Sequence, residues 1–99
     1  MVSENIFHQR RVHILVHGEV QRVGFRATLT KKARELGLTG FVQNLPGERV
    51  EIIAEGEFDK IEQLLLFCRK GPPTAVVTEV MVQEEKPKNE FSDFCIAKQ

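Results

Sequence analysis

Apolar and polar residues alternate along the first clearly patterned stretch of the chain, residues 11–17. The apolar residues at every second position are Val12, Ile14 and Val16. In an extended chain, side chains two residues apart lie on the same face. The pattern therefore predicts a β-strand with one buried face.

A helical pattern follows, after a loop that is flanked by Gly18 and Gly24. Its apolar positions, four, four and three residues apart, are Phe25, Leu29, Ala33 and Leu36. These spacings place all four side chains on one face of a helix. Basic residues precede Gly37, which is typical of a helix C-terminus, so we expect the helix to end at about Leu36.

A β-hairpin is the next predicted element. Residues 39–44 form a short, mainly apolar stretch, and Pro46 and Gly47 then suit the two central positions of a type II turn. Residues 49–55 alternate again, so their two faces differ. The two stretches and the turn between them predict two neighbouring strands.

A second amphipathic helix and two further strands complete the pattern. Helical spacing of apolar residues runs from Phe58 to Cys68 and stops before Gly71. Residues 76–82 are rich in β-branched side chains, and residues 91–97 include a last short apolar run. We expect a strand in each of these last two stretches.

The predicted order is strand, helix, strand, strand, helix, strand, with one short extra strand. The economical packing for this order is a mostly antiparallel sheet with both helices on one face. We therefore expect an α+β fold, a ferredoxin-like βαββαβ sandwich. A chain of 99 residues can bury one hydrophobic core, so we expect a single domain over residues 1–99, with its core at about 12–96.

Composition and charge narrow the class of protein. The 14 basic and 14 acidic side chains balance, which argues against a protein that coats nucleic acid or an anionic membrane. The longest unbroken apolar run is residues 64–68, too short for a membrane span or a signal peptide. Residues that could bind a metal lack the required spacing: Cys68, Cys95, His8, His13 and His17. We expect reduced thiols, a cytoplasmic protein and no metal site.

The loop over residues 18–26 leads directly into the N-terminus of the first predicted helix. Backbone N–H groups and the positive end of the helix dipole can bind an anion at such a place. Arg26 would add a guanidinium in the first helical turn. A tight strand-to-helix connection with a solvated arginine fits the same spacing, so the local pattern leaves both interpretations open.

Asn44 is a second candidate, at the end of the strand that enters the Pro46–Gly47 turn. Asn is a common turn opener, because its side chain bonds to its own backbone. In the predicted sheet, however, the strands before and after the first helix can lie close together. Asn44 and Arg26 can then face one pocket.

Four segments of the chain resemble the acylphosphatase family, over about Val12 to Ile96. They are GEVQRVGFR, LGLTGFVQN, LPGERVEIIAEGE and GPPTAVVTEV. The family's loop usually has the form Gly-x-Val-Gln-Gly-Val-x-Phe-Arg, and its arginine falls on Arg26. Its G-x-V-x-N element places the catalytic asparagine on Asn44.

The resemblance implies a ferredoxin-like fold and hydrolysis of a small acyl phosphate to a carboxylate and phosphate, by a monomer without a cofactor. Arg26 and Asn44 are then the catalytic residues. Backbone N–H groups of the loop would hold the phosphate, at Val20, Gln21, Arg22, Val23, Gly24 and Phe25. Arg22 departs from the family, which usually has glycine there. Either its backbone has a positive φ or its side chain points to solvent from an ordinary φ.

A non-enzymatic ferredoxin-like module is the alternative function. RNA-binding versions of this sandwich stack bases on aromatic side chains of their central strands, and the first predicted strand has neither Tyr nor Trp. An anion-sensing or regulatory module is harder to separate from an enzyme. The same loop that holds a phosphate in a transition state also holds one at rest.

Overall fold

Five strands and two helices make up residues 9–97, the part of the chain that the computed structural model describes. In chain order the elements are β1 (Gln9–Glu19), α1 (Phe25–Glu35), β2 (Thr39–Leu45), β3 (Arg49–Glu57), α2 (Phe58–Lys70), β4 (Val76–Glu85) and β5 (Phe94–Ile96). This order agrees with the one predicted from the pattern. No helix among these residues is both long and apolar enough to cross a membrane.

The strands form one sheet in the order β4-β1-β3-β2-β5. All neighbouring pairs are antiparallel except β2 and β5, which are parallel. Helix α1 packs on β2 and β5, α2 packs on β1, β3 and β4, and the two helices touch each other. Both helices therefore cover one face, and the ferredoxin-like α+β prediction is confirmed.

The core lies between the helices and the covered face of the sheet. The three alternating residues of β1, Val12, Ile14 and Val16, are fully buried there. Most of the predicted apolar helix positions are buried too: Phe25, Leu29, Ala33, Ile61, Leu64, Leu65 and Cys68. Two are exceptions. Leu36 is partly buried at the C-cap of α1, and Phe58 is 46% exposed, because it opens α2 at the edge of the core, where the Arg10 guanidinium lies over its ring.

The predicted bounds of the last strand are wrong. The prediction covers residues 91–97, whereas β5 has three residues, 94–96. Phe91 belongs to the preceding connection and packs edge-on against the ring of Phe41, with 5.8 Å between the ring centroids. Its apolar side chain is therefore used in a ring contact and not in strand pairing.

The two thiols differ in exposure, and both are free. Cys68 is buried in the core, and this burial raises the pKa of its thiol to about 12. The Cys68 thiol is therefore unreactive, because the thiolate is the reactive form. Cys95 is exposed.

A buried ion pair lies on the other face of the sheet, which we call the open face. Arg11 and Glu55 are 4% and 3% exposed, with 3.3 Å between Nη1 and Oε1. Arg11 Nε also donates to Glu85 at 2.8 Å, and this bond lowers the pKa of the Glu85 carboxyl. Glu55 Oε2 accepts bonds from the backbone N–H groups of Lys88 and Asn89, both at 3.0 Å. The pair thereby fixes the connection that leads from β4 to β5.

Replacing Arg11 by Met tests this pair. The substitution leaves the Glu55 carboxylate buried without its cation, so we expect the free energy of unfolding to fall by about 3 kcal/mol. For a domain of this size that loss corresponds to a decrease in Tm of more than about 10 °C.

Arg10→Met is the matched control, because Arg10 pairs with the exposed carboxylates of Glu62 and Glu84. We expect it to cost about 1 kcal/mol or less. Equal losses for the two variants would contradict the special role of Arg11.

Candidate active site

The 18–26 loop begins at an irregularity in the pairing of β1 with β4. The register shifts between His17 and Gly18, and Gly18 has a φ of 133°. A Cβ at this position would overlap the carbonyl oxygen of Val76. Only glycine fits this close approach of two backbones, so Gly18 fixes where the pairing shifts. The first two residues of the predicted 18–26 loop still belong to β1, which ends at Glu19, and its last two begin α1.

The loop ends at the N-terminus of α1, whose N-cap is Gly24 with a φ of 78°. The first helical hydrogen bond runs from Thr28 N–H to Gly24 O, so the N–H groups of Phe25, Arg26 and Ala27 precede it. Glycine offers no capping side chain, and the first turn contains no acidic residue. The positive end of the helix dipole is therefore not neutralised by the helix itself.

A pocket of about 300 Å³ opens beside this helix end, and we call it the loop pocket. It is lined by Val20, Arg22, Gly24, Phe25, Arg26, Ala27 and Ile96. Five of these residues were candidates from the sequence, and Ala27 and Ile96 were not. Ile96 could not be found from local pattern, because it reaches the pocket only through the parallel pairing of β5 with β2.

Arg22 has a φ of 63°, in the left-handed region. The alternative of an ordinary φ at this residue is therefore wrong. Its exposed side chain stands on the rim of the loop pocket, whereas Arg26 is partly buried. Both arginines consequently line one pocket.

Two side-chain hydrogen bonds hold the loop from opposite sides. Gln21 Nε2 donates to the carbonyl oxygens of Leu45 at 2.7 Å and Arg49 at 3.0 Å, at the end of the β2–β3 hairpin. Thr74 Oγ1 donates to Val23 O at 2.7 Å from the connection between α2 and β4. Local sequence pattern indicates only a backbone role for Gln21, and neither of these two supports can be found from it.

Asn44 lies inside the ladder of β2, paired with Val50 of β3. The turn itself comprises residues 46–48, so Asn44 is not the residue that opens it. Because strand side chains alternate, Asn44 shares the covered face with Val42, which pairs with Ile96 of the pocket wall. Asn44 is thus two residues along β2 from the strand partner of Ile96 and on the same face, although the lining of the loop pocket formed by residues 9–97 does not include it.

The remaining polar candidates lie apart from the loop pocket or outside the described residues. His13 is on the open face, with Nε2 2.8 Å from Glu51 Oε2. His17 pairs with Arg49 and Glu79 within the sheet, and His8 lies outside the described residues. Residues 9–97 contain no group of three or more His, Cys, Asp or Glu side chains arranged to hold a metal ion.

Comparison with known proteins gives matches over nearly the whole described chain. The sequence model of the acylphosphatase family matches residues 12–96. Acylphosphatases of Methylococcus capsulatus and Marinobacter nauticus are 51% and 55% identical, over 88% and 85% of this chain and 95% and 91% of their own length. The structure of an acylphosphatase from Coxiella burnetii is similar with a TM-score of 0.88 at 39% identity, and the match covers 96% of this chain and 99% of that one. The match includes the 18–26 loop and Asn44, and this chain belongs to the acylphosphatase family.

Proposed function

We propose that the protein hydrolyses acyl phosphates to a carboxylate and inorganic phosphate at the loop pocket. The observation that carries the proposal is the uncapped N-terminus of α1, which opens onto the pocket with Arg26 in its first turn. Family membership supports the same reaction. The non-enzymatic alternative is not favoured, because relatives that share about half of their residues with this chain are acylphosphatases.

In this proposal the phosphoryl group binds to the loop and the start of α1. Backbone N–H groups of the loop hold its oxygens, at Val20, Gln21, Arg22, Val23, Gly24 and Phe25. Successive N–H groups in a turn with positive φ values converge on an anion, and two such values occur here, at Arg22 and Gly24. Arg26 adds a planar pair of donors that neutralises two oxygens at once.

Asn44 orients the attacking water, since its side chain both donates and accepts hydrogen bonds. The water oxygen forms a bond to phosphorus while the bond between phosphorus and the acyl oxygen breaks. The bonding electrons leave with the carboxylate, which needs no proton at neutral pH, so the scheme uses no general acid. The proton of the water passes to the phosphate product.

Positioning and charge stabilisation are the main demands of phosphoryl transfer. The loop N–H groups and Arg26 supply the positive charge in this scheme, so the proposed reaction uses neither a metal ion nor another cofactor. We also propose a monomer, because the loop pocket and Asn44 come from one chain. A cytoplasmic location fits the two free thiols.

Replacing Arg26 by Lys tests the guanidinium. A point charge cannot replace a planar two-pronged donor, so we expect kcat to fall on the order of 10³-fold or more with unchanged Tm. The measurement is phosphate release from benzoyl phosphate, with EDTA present. Arg69→Lys on α2, outside the loop pocket, is the matched control and should keep full activity. If Arg26→Lys keeps more than about a tenth of the wild-type kcat, Arg26 is not the catalytic arginine.

Replacing Asn44 by Ala separates chemistry from binding. We expect kcat to fall roughly 10²-fold, because one positioned polar group is lost, while inorganic phosphate inhibits with a similar constant. The neighbouring Gln43→Ala is the control, since Gln43 lies on the open face and donates to Glu51 at 2.6 Å. A phosphate affinity that collapses together with kcat would make Asn44 a ligand or a structural residue.

Replacing Arg22 by Gly tests the strained position. Glycine adopts a positive φ without cost, and about 1 kcal/mol of strain relief offsets the added entropy of the unfolded chain. We therefore expect an active enzyme with equal or slightly higher Tm and with weaker inhibition by phosphate, most clearly at low salt. Glu19→Gly, where φ is not positive, is the control and should lower Tm. If Arg22→Gly is less stable and its inhibition by phosphate is unchanged, Arg22 neither strains the loop nor helps to bind the anion.

A further inference from the structure

Two arginines, Arg22 and Arg26, line the loop pocket, and the proposed phosphoryl site uses the guanidinium of Arg26 alone. Arg10, Arg11 and Arg34 each pair with a carboxylate. Among residues 9–97 no carboxylate lies within ion-pair distance of Arg22 or Arg26, so both retain their capacity to bind an added anion.

The two arginines stand at different depths. Arg26 is partly buried at the helix end, beside the N–H groups that precede the first helical bond. Arg22 is exposed on the rim. An anion at the helix end is therefore next to Arg26, and Arg22 faces whatever part of the ligand extends outward.

The loop sets the position of Arg22 on the rim, against the backbone φ that an arginine prefers. A left-handed φ is unfavourable for a residue with a Cβ, by about 1 kcal/mol or more. The loop keeps it because Gln21 and Thr74 fix the residues on either side. The base of the Arg22 side chain is consequently held at one place at the pocket mouth.

Apolar side chains share the lining of the loop pocket with the two arginines. Val20 and Phe25 are almost fully buried, so Ile96, which is 41% exposed, provides most of the accessible apolar surface. This surface suits the hydrocarbon part of a small ligand. The volume of about 300 Å³ is at the lower end for small-molecule sites.

We infer that Arg22 binds a second anionic group, a carboxylate or a phosphate, on the acyl part of the substrate. The inference rests on the proposed function and narrows the class of acyl phosphates that the enzyme prefers. The phosphoryl group lies at the α1 N-terminus with Arg26, the acyl carbon skeleton lies against Ile96, and the second anion lies at Arg22. The enzyme then prefers acyl phosphates whose acyl group is itself charged.

The test compares substrates that differ only in that second charge. The charged substrates are 3- and 4-carboxybenzoyl phosphate, and the matched neutral substrates are the corresponding carbamoylbenzoyl phosphates, which have nearly the same shape. The measured quantity is the charge preference, the ratio of kcat/KM for the charged substrate to that for its neutral partner. We expect a preference of about fivefold or more for at least one isomer, decreasing as salt screens the contact.

Three variants assign the preference to Arg22. Arg22→Asn removes the charge and tolerates a left-handed φ, so the ratio should fall close to one. Arg22→Lys keeps the charge without the planar fork, and its ratio should lie between those of wild type and Arg22→Asn. Lys31→Gln removes a charge from α1 outside the pocket and should leave the ratio unchanged. Melting curves check that each variant is folded.

The outcomes separate this inference from the function on which it rests. If neutral and charged substrates are hydrolysed equally well by the wild-type enzyme, Arg22 has no second-anion role and the proposed hydrolysis stands. If a charge preference exists but persists in Arg22→Asn, another group binds the second anion and the inference is overturned. If none of the benzoyl phosphates is hydrolysed, the proposed function fails and the inference fails with it.

Discussion

The geometry of the 18–26 loop depends on the side chain of Gln21. A loop that offers its N–H groups to a ligand cannot use them in the sheet, so other bonds must hold its shape. Gln21 bonds to the carbonyl oxygens of Leu45 and Arg49, which lie on either side of the hairpin turn. This places the loop against the hairpin end that carries Asn44. One amide side chain thus couples the two segments on which the proposed chemistry depends.

The opposite wall of the loop pocket depends on contacts far from it. Ile96 belongs to a strand of three residues, which has few backbone bonds of its own. The connection before this strand is bound to the buried Glu55 on the open face, and Arg34 of α1 donates to Phe94 O at 2.8 Å. A buried ion pair with several hydrogen bonds is costly to disrupt, so it gives a short edge strand a defined position.

Three non-glycine residues among 9–97 have a left-handed φ, and one of them, Arg22, lines the loop pocket, whereas Glu48 and Asn89 do not. Arg22 has a left-handed φ although arginine gains nothing from it locally. Such a conformation persists only when surrounding contacts impose it, and here the loop is bonded on both sides. The free-energy cost of this φ is explained if the Arg22 side chain binds a ligand at the pocket mouth. A solvent-facing arginine alone would not require it.

The sequence by itself determined the order of the elements, the buried faces and the two candidate residues, Arg26 and Asn44. Side-chain period follows directly from backbone geometry, so local pattern is enough to assign a helix or a strand. Tertiary structure alone decided the short length of β5, the place of Ile96 in the pocket and the two bonds of Gln21. Each of these features requires contact between segments that are more than 20 residues apart in the chain. Pairing across such distances results from packing of the whole sheet, which no local pattern records.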